Sequence, residues 1–395
     1  MLKNSLGVIF QHSSKTERGF MRKTLIVIQF SISIAVIIGI GIIHRQLKYV
    51  QNFDLGYNRE NIVLFNADDA LLNKWDDFKQ QLLSSTGIKQ VSASKRAPTG
   101  RLLDDPGFEI VVNGDLLNHS VPMPHNRVEH DFFRTYGIKI LAGRDFDKDI
   151  QTDATEAAIL NETAVKKLGF ANPLQAVGIK IKLNGSYKTI IGVCNDFHYE
   201  SLHYVIPAMV TYITSEELNT VAVRIEPGNL SERIKTIRKV WNEFQGDLPL
   251  DYSFLDERIN MQYQNEQRLM TLFNWFGMLA ILIACMGLYG LTAFSTERRT
   301  KEIGIRKTNG ANAWEIMIML SFDFTRWVML AFILVCPVSY YFMHKWLQQF
   351  AYKTTIGWVI FVEAGIAAMT IALLTVSWQS FRAANRNPVD ALRYE

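Results

Sequence analysis

Cysteine is scarce in this chain: three residues in 395, and two of them, Cys285 and Cys336, sit inside apolar runs. Only Cys194 falls in the polar middle, so no disulfide within that region is available and it must fold on its core alone. An excess of charge is missing too. The formal net charge of +4 is small and dispersed, which leaves no basic stripe for nucleic acid. Catalytic signatures are equally absent: the chain has no Gly-x-Ser-x-Gly elbow, no His-Glu-x-x-His pair and no Gly-x-x-x-x-Gly-Lys-Ser/Thr phosphate loop. The nearest metal-like cluster, His198 and His203 around Glu200, has spacings unlike a zinc set. His125 and His130 flank a polar turn, and Asp104, Asp105, Asp145, Asp147 and Asp149 read as solvated loop charges rather than calcium ligands. No catalytic residue, metal or cofactor is expected, and no internal repeat is visible.

What the chain does have is four long apolar runs. A hydrophobic fraction of 48% and a mean hydropathy of +0.04 look like an ordinary soluble protein, because a polar insert dilutes the runs. Thr24–Ile43 carries no charge, and twenty residues at 1.5 Å each span about 30 Å, the thickness of a bilayer's hydrocarbon core. Leu269–Thr296, Trp327–Met343 and Ile356–Val376 follow after a long polar stretch. The fold class expected is therefore a membrane α-helical protein with four transmembrane helices and an inserted α+β extracytoplasmic domain. The boundaries read 1–23 for a basic amphipathic lead-in helix, 24–43 for the first span and 44–268 for the inserted domain. Then come 269–296 for the second span, 297–323 for a charged loop and 324–343 for the third span. A short loop over 344–355, the fourth span over 356–376 and a tail over 377–395 complete the chain.

Lys and Arg set the orientation. Lys3, Lys15, Arg18, Arg22 and Lys23 precede the first span, and Arg298, Arg299, Lys301, Arg306 and Lys307 separate the second from the third. Arg382, Arg386 and Arg393 follow the fourth, whereas the 344–355 loop holds only Lys345 and Lys353. Basic flanks mark the cytoplasmic side, which puts both termini and the 297–323 loop inside and the inserted domain outside. Arg45 and Lys48 oppose this weakly, but long loops translocate largely regardless of charge. The first run is too long for a signal-peptide core, and Ile42-Ile43-His44-Arg45 offers no small-x-small cleavage site, so it reads as an anchor.

Within the spans, Pro337 should kink the third helix or free a carbonyl. Glu363 lies inside the fourth, where a carboxylate must be protonated, paired or turned toward another helix. Gly277, Ala280, Ala284, Gly287 and Gly290 form a small-residue stripe on the second span, read as helix packing and a candidate seam between copies. In the inserted domain, Ile62–Phe65, Phe108–Val112, Ile138–Leu141 and Ala158–Leu160 read as strands. Ile179, Ile181 and Leu183 alternate up to an Asn184-Gly185 turn, and Tyr187–Val193 returns. Asn161 is placed to cap a short helix ending at Gly169, and Ser231–Phe244 reads as an amphipathic helix. Helix then resumes after Leu255 and is expected to continue unbroken into the second span.

The charged loop runs Glu297-Arg298-Arg299-Thr300-Lys301-Glu302-Ile303-Gly304-Ile305-Arg306-Lys307-Thr308-Asn309-Gly310-Ala311. Physically it is a short charged helix with Ile303 and Ile305 as an apolar ridge, closed by Gly310. Its order, Glu-Arg-x-x-Glu-Ile-Gly-Ile-Arg-Lys-x-x-Gly-Ala, resembles the hallmark of FtsX/MacB-type ABC transporter permeases, with Thr308-Asn309 in place of the usual pair. Asn387-Pro388-Val389-Asp390-Ala391-Leu392-Arg393 is similar to that family's ending. Tyr136-Gly137-Ile138, Leu141-Ala142-Gly143-Arg144-Asp145-Phe146, Leu160-Asn161-Glu162-Thr163-Ala164 and Ile191-Gly192-Val193 with Asp196-Phe197 resemble the MacB-like periplasmic core domain.

The resemblance implies a non-enzymatic permease subunit in the bacterial inner membrane, paired with a cytoplasmic ABC ATPase and a second permease unit, homo- or heteromeric. It implies that Glu302, Gly304, Arg306, Lys307 and Gly310 form the ATPase-coupling segment, with Ile303 and Ile305 as anchor. It also implies that the inserted domain moves in response, for export or extraction of a peptide, antibiotic or lipoprotein, or for control of cell-wall enzymes. A periplasmic or outer-membrane partner is left open, as is whether the chain is a half-size permease, a split partner or part of a longer protein carrying two such units. A membrane-anchored sensor signalling to a cytoplasmic partner is the alternative, and an anchored extracytoplasmic hydrolase a third reading. The surplus pair of spans counts against the sensor, and the missing nucleophile and base count against the hydrolase.

Overall fold

The computed structural model describes residues 2–100, 102, 107–112, 115–183, 185–214 and 217–384. The side chains of 2–20 and 107–122 lie outside the description, as do Asp104, Asp105, Asn184 and the tail motif from Asn385 onward. Two compact units emerge: Met1–Tyr49 with Asn265–Gln349 and Lys353–Glu395, and Val50–Gln264 with Phe350–Tyr352.

The first unit holds four helices long and apolar enough to cross a membrane, with candidate spans Lys23–Asn52, Gln264–Glu297, Trp314–Leu347 and Trp358–Gln379. The basic lead-in and the first span form one uninterrupted helix, Leu2–Asn52. The first span buries every fourth residue: Ile26, Phe30, Ile34, Ile38 and Ile42. They meet Ala364, Ala368, Ala372 and Val376 of the fourth span and Phe324, Val328, Ala331 and Val335 of the third in one apolar cluster. Large side chains on one helix against alanines on another bring the backbones close, which is how helices associate where lipid removes the hydrophobic drive.

Most of the small-residue stripe packs within the chain. A methyl at Gly277 would stand 3.0 Å from Val36 and 3.1 Å from Ile40, and one at Gly287 would stand 2.6 Å from Gln29. Ser33 Oγ donates to the Ala280 carbonyl at 3.3 Å. Gly277, Ala280 and Gly287 thus seat the first span, a methyl at Gly290 would meet nothing within 4 Å, and Trp275, Phe276, Leu279 and Met286 of the second are exposed on other faces.

The second unit is built on a mixed sheet of twelve strands among the described residues. They are β1 (Ile62–Asn66), β2 (Ile88–Ser94), β3 (Gly107–Val112), β4 (Asp115–Pro122), β5 (His125–Val128), β6 (Ile140–Gly143), β7 (Ala157–Asn161), β8 (Lys180–Leu183), β9 (Ser186–Cys194), β10 (Val210–Ile213), β11 (Thr220–Ile225) and β12 (Tyr252–Phe254). Their spatial order is β12-β1-β11-β2-β5-β10-β7-β9-β8-β3-β4, with β6 on β9. Two pairings are parallel, β5 with β10 and β7 with β9. The β8–β9 hairpin closes as its alternation predicts, pairing Leu183 with Ser186 across Gly185 at φ +82°.

Two apolar cores share this sheet. In one, Val63, Phe65, Val91, Val221 and Val223 receive Phe78 and Leu82 of helix Trp75–Ser84 and Ile234, Ile237, Val240 and Trp241 of helix Leu230–Gln245. In the other, Leu160, Ile181, Ile190, Val193 and Val210 pack on Ala164 and Val165 of helix Glu162–Lys167. Asn161 caps that helix as predicted, accepting from the Ala164 amide at 3.0 Å. The glycines of the Leu141–Phe146 and Ile191–Val193 segments face each other: Gly143 pairs with Gly192. A side chain on Gly143 would enter the Ile191 carbonyl, and one on Gly192 the Arg144 carbonyl. That close approach lets Arg144 grip the buried Asp153 with both terminal nitrogens.

The expected unbroken helix into the second span is interrupted. Helix Leu255–Met261 ends, and the next begins at Gln264. The reason lies at Tyr263, which is buried and whose hydroxyl accepts from the Leu202 amide at 2.8 Å, a bond that fixes the chain locally. Residues Phe350–Tyr352 also join this unit: the amides of Ala351 and Tyr352 donate to the His203 and Leu202 carbonyls at 3.2 and 3.1 Å. Tyr352 meets the His198 ring edge-on at 4.6 Å and Phe350 stacks on His203 at 4.1 Å. Cys194, the cysteine of this unit, is buried, and burial pushes its thiol far above the usual range, so it behaves as a small apolar group.

An ion cluster lies beside the first core. Lys79 Nζ donates to Glu129 at 2.9 Å and Asp131 at 2.9 Å, with only 9% of the Lys79 and Glu129 side chains exposed. Lys79→Ala leaves carboxylates buried without their cation, an expected cost of about 3–5 kcal/mol, read as a lowered thermal midpoint of the purified chain. Burial holds the His198 imidazole neutral, its pKa pushed down to about 4 against the weaker pull of Asp196. The unfolded chain takes up that proton near pH ~6.5 and the folded one does not, so stability falls as pH drops from ~6.5 toward 4. His198→Gln should show a smaller loss of thermal midpoint than the native chain between about pH 7 and about pH 5.

Candidate functional site

The segment between the second and third spans folds as a helical hairpin. Helix Thr300–Thr308 follows the end of the second-span helix at Arg298, and Gly310, at φ +91°, turns the chain. The next helix, Ala313–Leu347, starts well before the expected 324 boundary. Asn312 opens it with a reciprocal cap, Glu315 reaching back to the Asn312 amide at 3.4 Å. At 1.5 Å per residue this helix is roughly 52 Å long, about 20 Å more than a hydrocarbon core needs. Its first turns lie beside helix Thr300–Thr308.

The predicted coupling residues separate into two faces. Ile303 is 6% exposed and packs on Ile316 and Leu320 of the long helix, with Met319 alongside. Gly304 is buried with it. Ile305, at 48% exposure, points outward. Glu302, Ile305, Arg306 and Asn309 are all exposed, and their spacing of three and four places them on one helix face. Arg306 pairs with Glu302 at 3.0 Å and also contacts the Met319 sulfur. Gly310 closes the helix, and the Lys307 side chain lies outside the described residues. The two isoleucines thus differ: Ile303 anchors the hairpin internally, whereas Ile305 faces outward. Alternation alone could not separate them, because which side of a short helix faces inward depends on a neighbour remote in sequence.

Trp314, at 62% exposure, and Ile318, at 51%, were not singled out from the sequence. Four residues apart, they prolong an exposed apolar ridge along the long helix beyond the charged collar of Arg299, Asp323 and Arg326. Asp323 holds that collar together, accepting from Arg299 at 2.8 Å and from Arg326. A Trp in the charged entry to the third span was the available signal.

Glu363, the intramembrane acid, is paired: Arg45 Nη2 of the first span donates to it at 3.3 Å. The partner is the cation whose position ran against the basic-flank rule. With 65% of its side chain exposed, Glu363 sits on the outside of the bundle rather than in its core. Among the described residues, no group of three His, Cys, Asp or Glu could hold a metal ion.

Two family models match the sequence: the MacB-like periplasmic core domain over residues 24–237 and the FtsX-like permease C-terminal region over 274–388. Among curated relatives, a macrolide export ATP-binding/permease protein MacB of Sodalis glossinidius is 23% identical over 291 residues, 68% of this chain and 43% of that protein. An uncharacterized ABC transporter permease, YknZ of Bacillus subtilis, is 20% identical over 317 residues, 78% of this chain and 76% of that protein. The chain spans about half the length of the MacB relatives it matches. Among solved structures, the periplasmic region of MacB from Actinobacillus actinomycetemcomitans aligns with 53% of this chain and 95% of its own, at 15% identity and a TM-score of 0.36.

The division of labour between the isoleucines is testable. Ile303→Asp buries a charge against Ile316 and Leu320 and should open the hairpin to limited proteolysis, while Ile305→Asp should leave its cleavage pattern unchanged. Equal protection of both variants would contradict the assignment.

Proposed function

Because this chain belongs to the ABC transporter permease family that joins a MacB-like periplasmic core domain to an FtsX-like membrane region, we propose that its helical hairpin receives a cytoplasmic ATPase and that its inserted domain moves in response. The observation that carries this reading is the exposed face of helix Thr300–Thr308. It presents an apolar residue, Ile305, between opposite charges, Glu302 and Arg306, on a helix braced from behind by Ile303. A small apolar knob ringed by charge, held rigidly, is the chemistry of a docking contact.

The hairpin is cytoplasmic on this reading because five of the chain's basic residues cluster at 298–307. The ATP chemistry belongs to the partner. The filled seam between the first, third and fourth spans supports movement of the inserted domain over conduction of substrate through the bundle. Two such units, of one chain or two, would pair through membrane faces of the kind the second span leaves exposed. Substrates of the peptide, antibiotic or lipoprotein type, or cell-wall enzymes under its control, are compatible with an inserted domain that moves.

The test is co-purification. Ile305→Asp combined with Arg306→Glu should reduce recovery of the ATPase at least tenfold, with membrane insertion and hairpin protection intact. Undiminished recovery would remove the hairpin from the interface.

A further inference from the structure

A cavity of about 740 Å³ opens among the first, second and third spans at their hairpin end, lined by Lys23, Arg299, Arg326, Asp323, Trp327 and, deeper, Leu291 among others. Its size suits a small ligand or the head of an amphiphile. Its charge is unbalanced: three cations face one carboxylate. Asp323 already serves Arg299 at 2.8 Å and Arg326, so it cannot neutralise both and has nothing left for Lys23. Lys23 Nζ instead lies 5.3 Å above the Trp327 ring, a contact that positions an ammonium without cancelling its charge.

The cavity is also divided by depth. Lys23 begins the first candidate span and Arg299 follows the second, which sets at headgroup level the charged rim that Asp323 and Arg326 of the third helix complete. One helical turn further into the membrane the walls become Ile26, Leu291 and Leu330. A soluble anion would use the rim alone. An amphiphile with a phosphodiester and acyl chains uses both halves, and basic pockets between membrane helices take such headgroups.

We propose that this cavity binds the headgroup of an anionic glycerophospholipid of the phosphatidylglycerol class from the adjoining leaflet, its phosphate between Lys23, Arg299 and Arg326 and its chains along Ile26 and Leu330. Seated there, the lipid bridges the start of the first span to the root of the hairpin. The proposal is independent of whether the hairpin docks an ATPase.

The test uses the full chain, with its ATPase where the two co-purify, in nanodiscs of phosphatidylcholine titrated with phosphatidylglycerol and read by native mass spectrometry and Trp327 fluorescence. Retention of phosphatidylglycerol over phosphatidylcholine is expected, weakened at least tenfold by Lys23→Gln with Arg299→Gln. That variant also breaks the Arg299–Asp323 pair, so Asp323→Asn supplies the opposite sign: removing the competing carboxylate should tighten phosphatidylglycerol binding severalfold. Equal retention of both lipids, no effect of the double substitution, weakened binding in Asp323→Asn, or displacement by millimolar inorganic phosphate would each overturn the proposal.

Discussion

Against lipid, an isoleucine gains no free energy by turning inward, so the membrane unit must be held by fit and not by escape from water. The seam of Ile26, Phe30, Ile34, Ile38 and Ile42 against Ala364, Ala368 and Ala372 meets that constraint, with a large residue every fourth position facing a methyl. Close backbones then multiply weak dispersion contacts. The glycines follow the same logic. Gly365 lies where a side chain would stand 2.8 Å from the Phe332 ring, and Gly39 where one would stand 2.7 Å from that of Phe273. Because this seam uses only one face of each helix, the remaining faces stay apolar and open, most completely on the second span.

The inserted domain answers to water and is built differently. Its two cores hold Phe65, Phe78 and Trp241 in edge-on contact on one side and aliphatic strands on the other. Its buried charges are paired at Lys79 with Glu129 and at Asp153 with Arg144. Such pairs contribute little net stability but strongly penalise any arrangement that separates them.

The hairpin combines both regimes. Its inner side, Ile303 against Ile316 and Leu320, is a miniature water-driven core. Its outer faces leave Ile305 on one helix and Trp314 on the other exposed.

Much of this was legible in the residues. The four long apolar helices, the β8–β9 hairpin, the Asn161 cap and the helix near Ser231–Phe244 rest on hydropathy and turn chemistry, which are local and so can be read along a chain. The family segments were legible as well, and the structure supplies a reason for one of them: Gly143 and Gly192 meet where neither could carry a side chain. The break at Gln262–Tyr263, the different fates of Ile303 and Ile305, the Arg45–Glu363 pair, the Lys79 cluster and the cationic cavity were not legible. Each depends on groups far apart in sequence being brought within a few ångströms, and only the packing of the folded chain decides which distant side chain arrives.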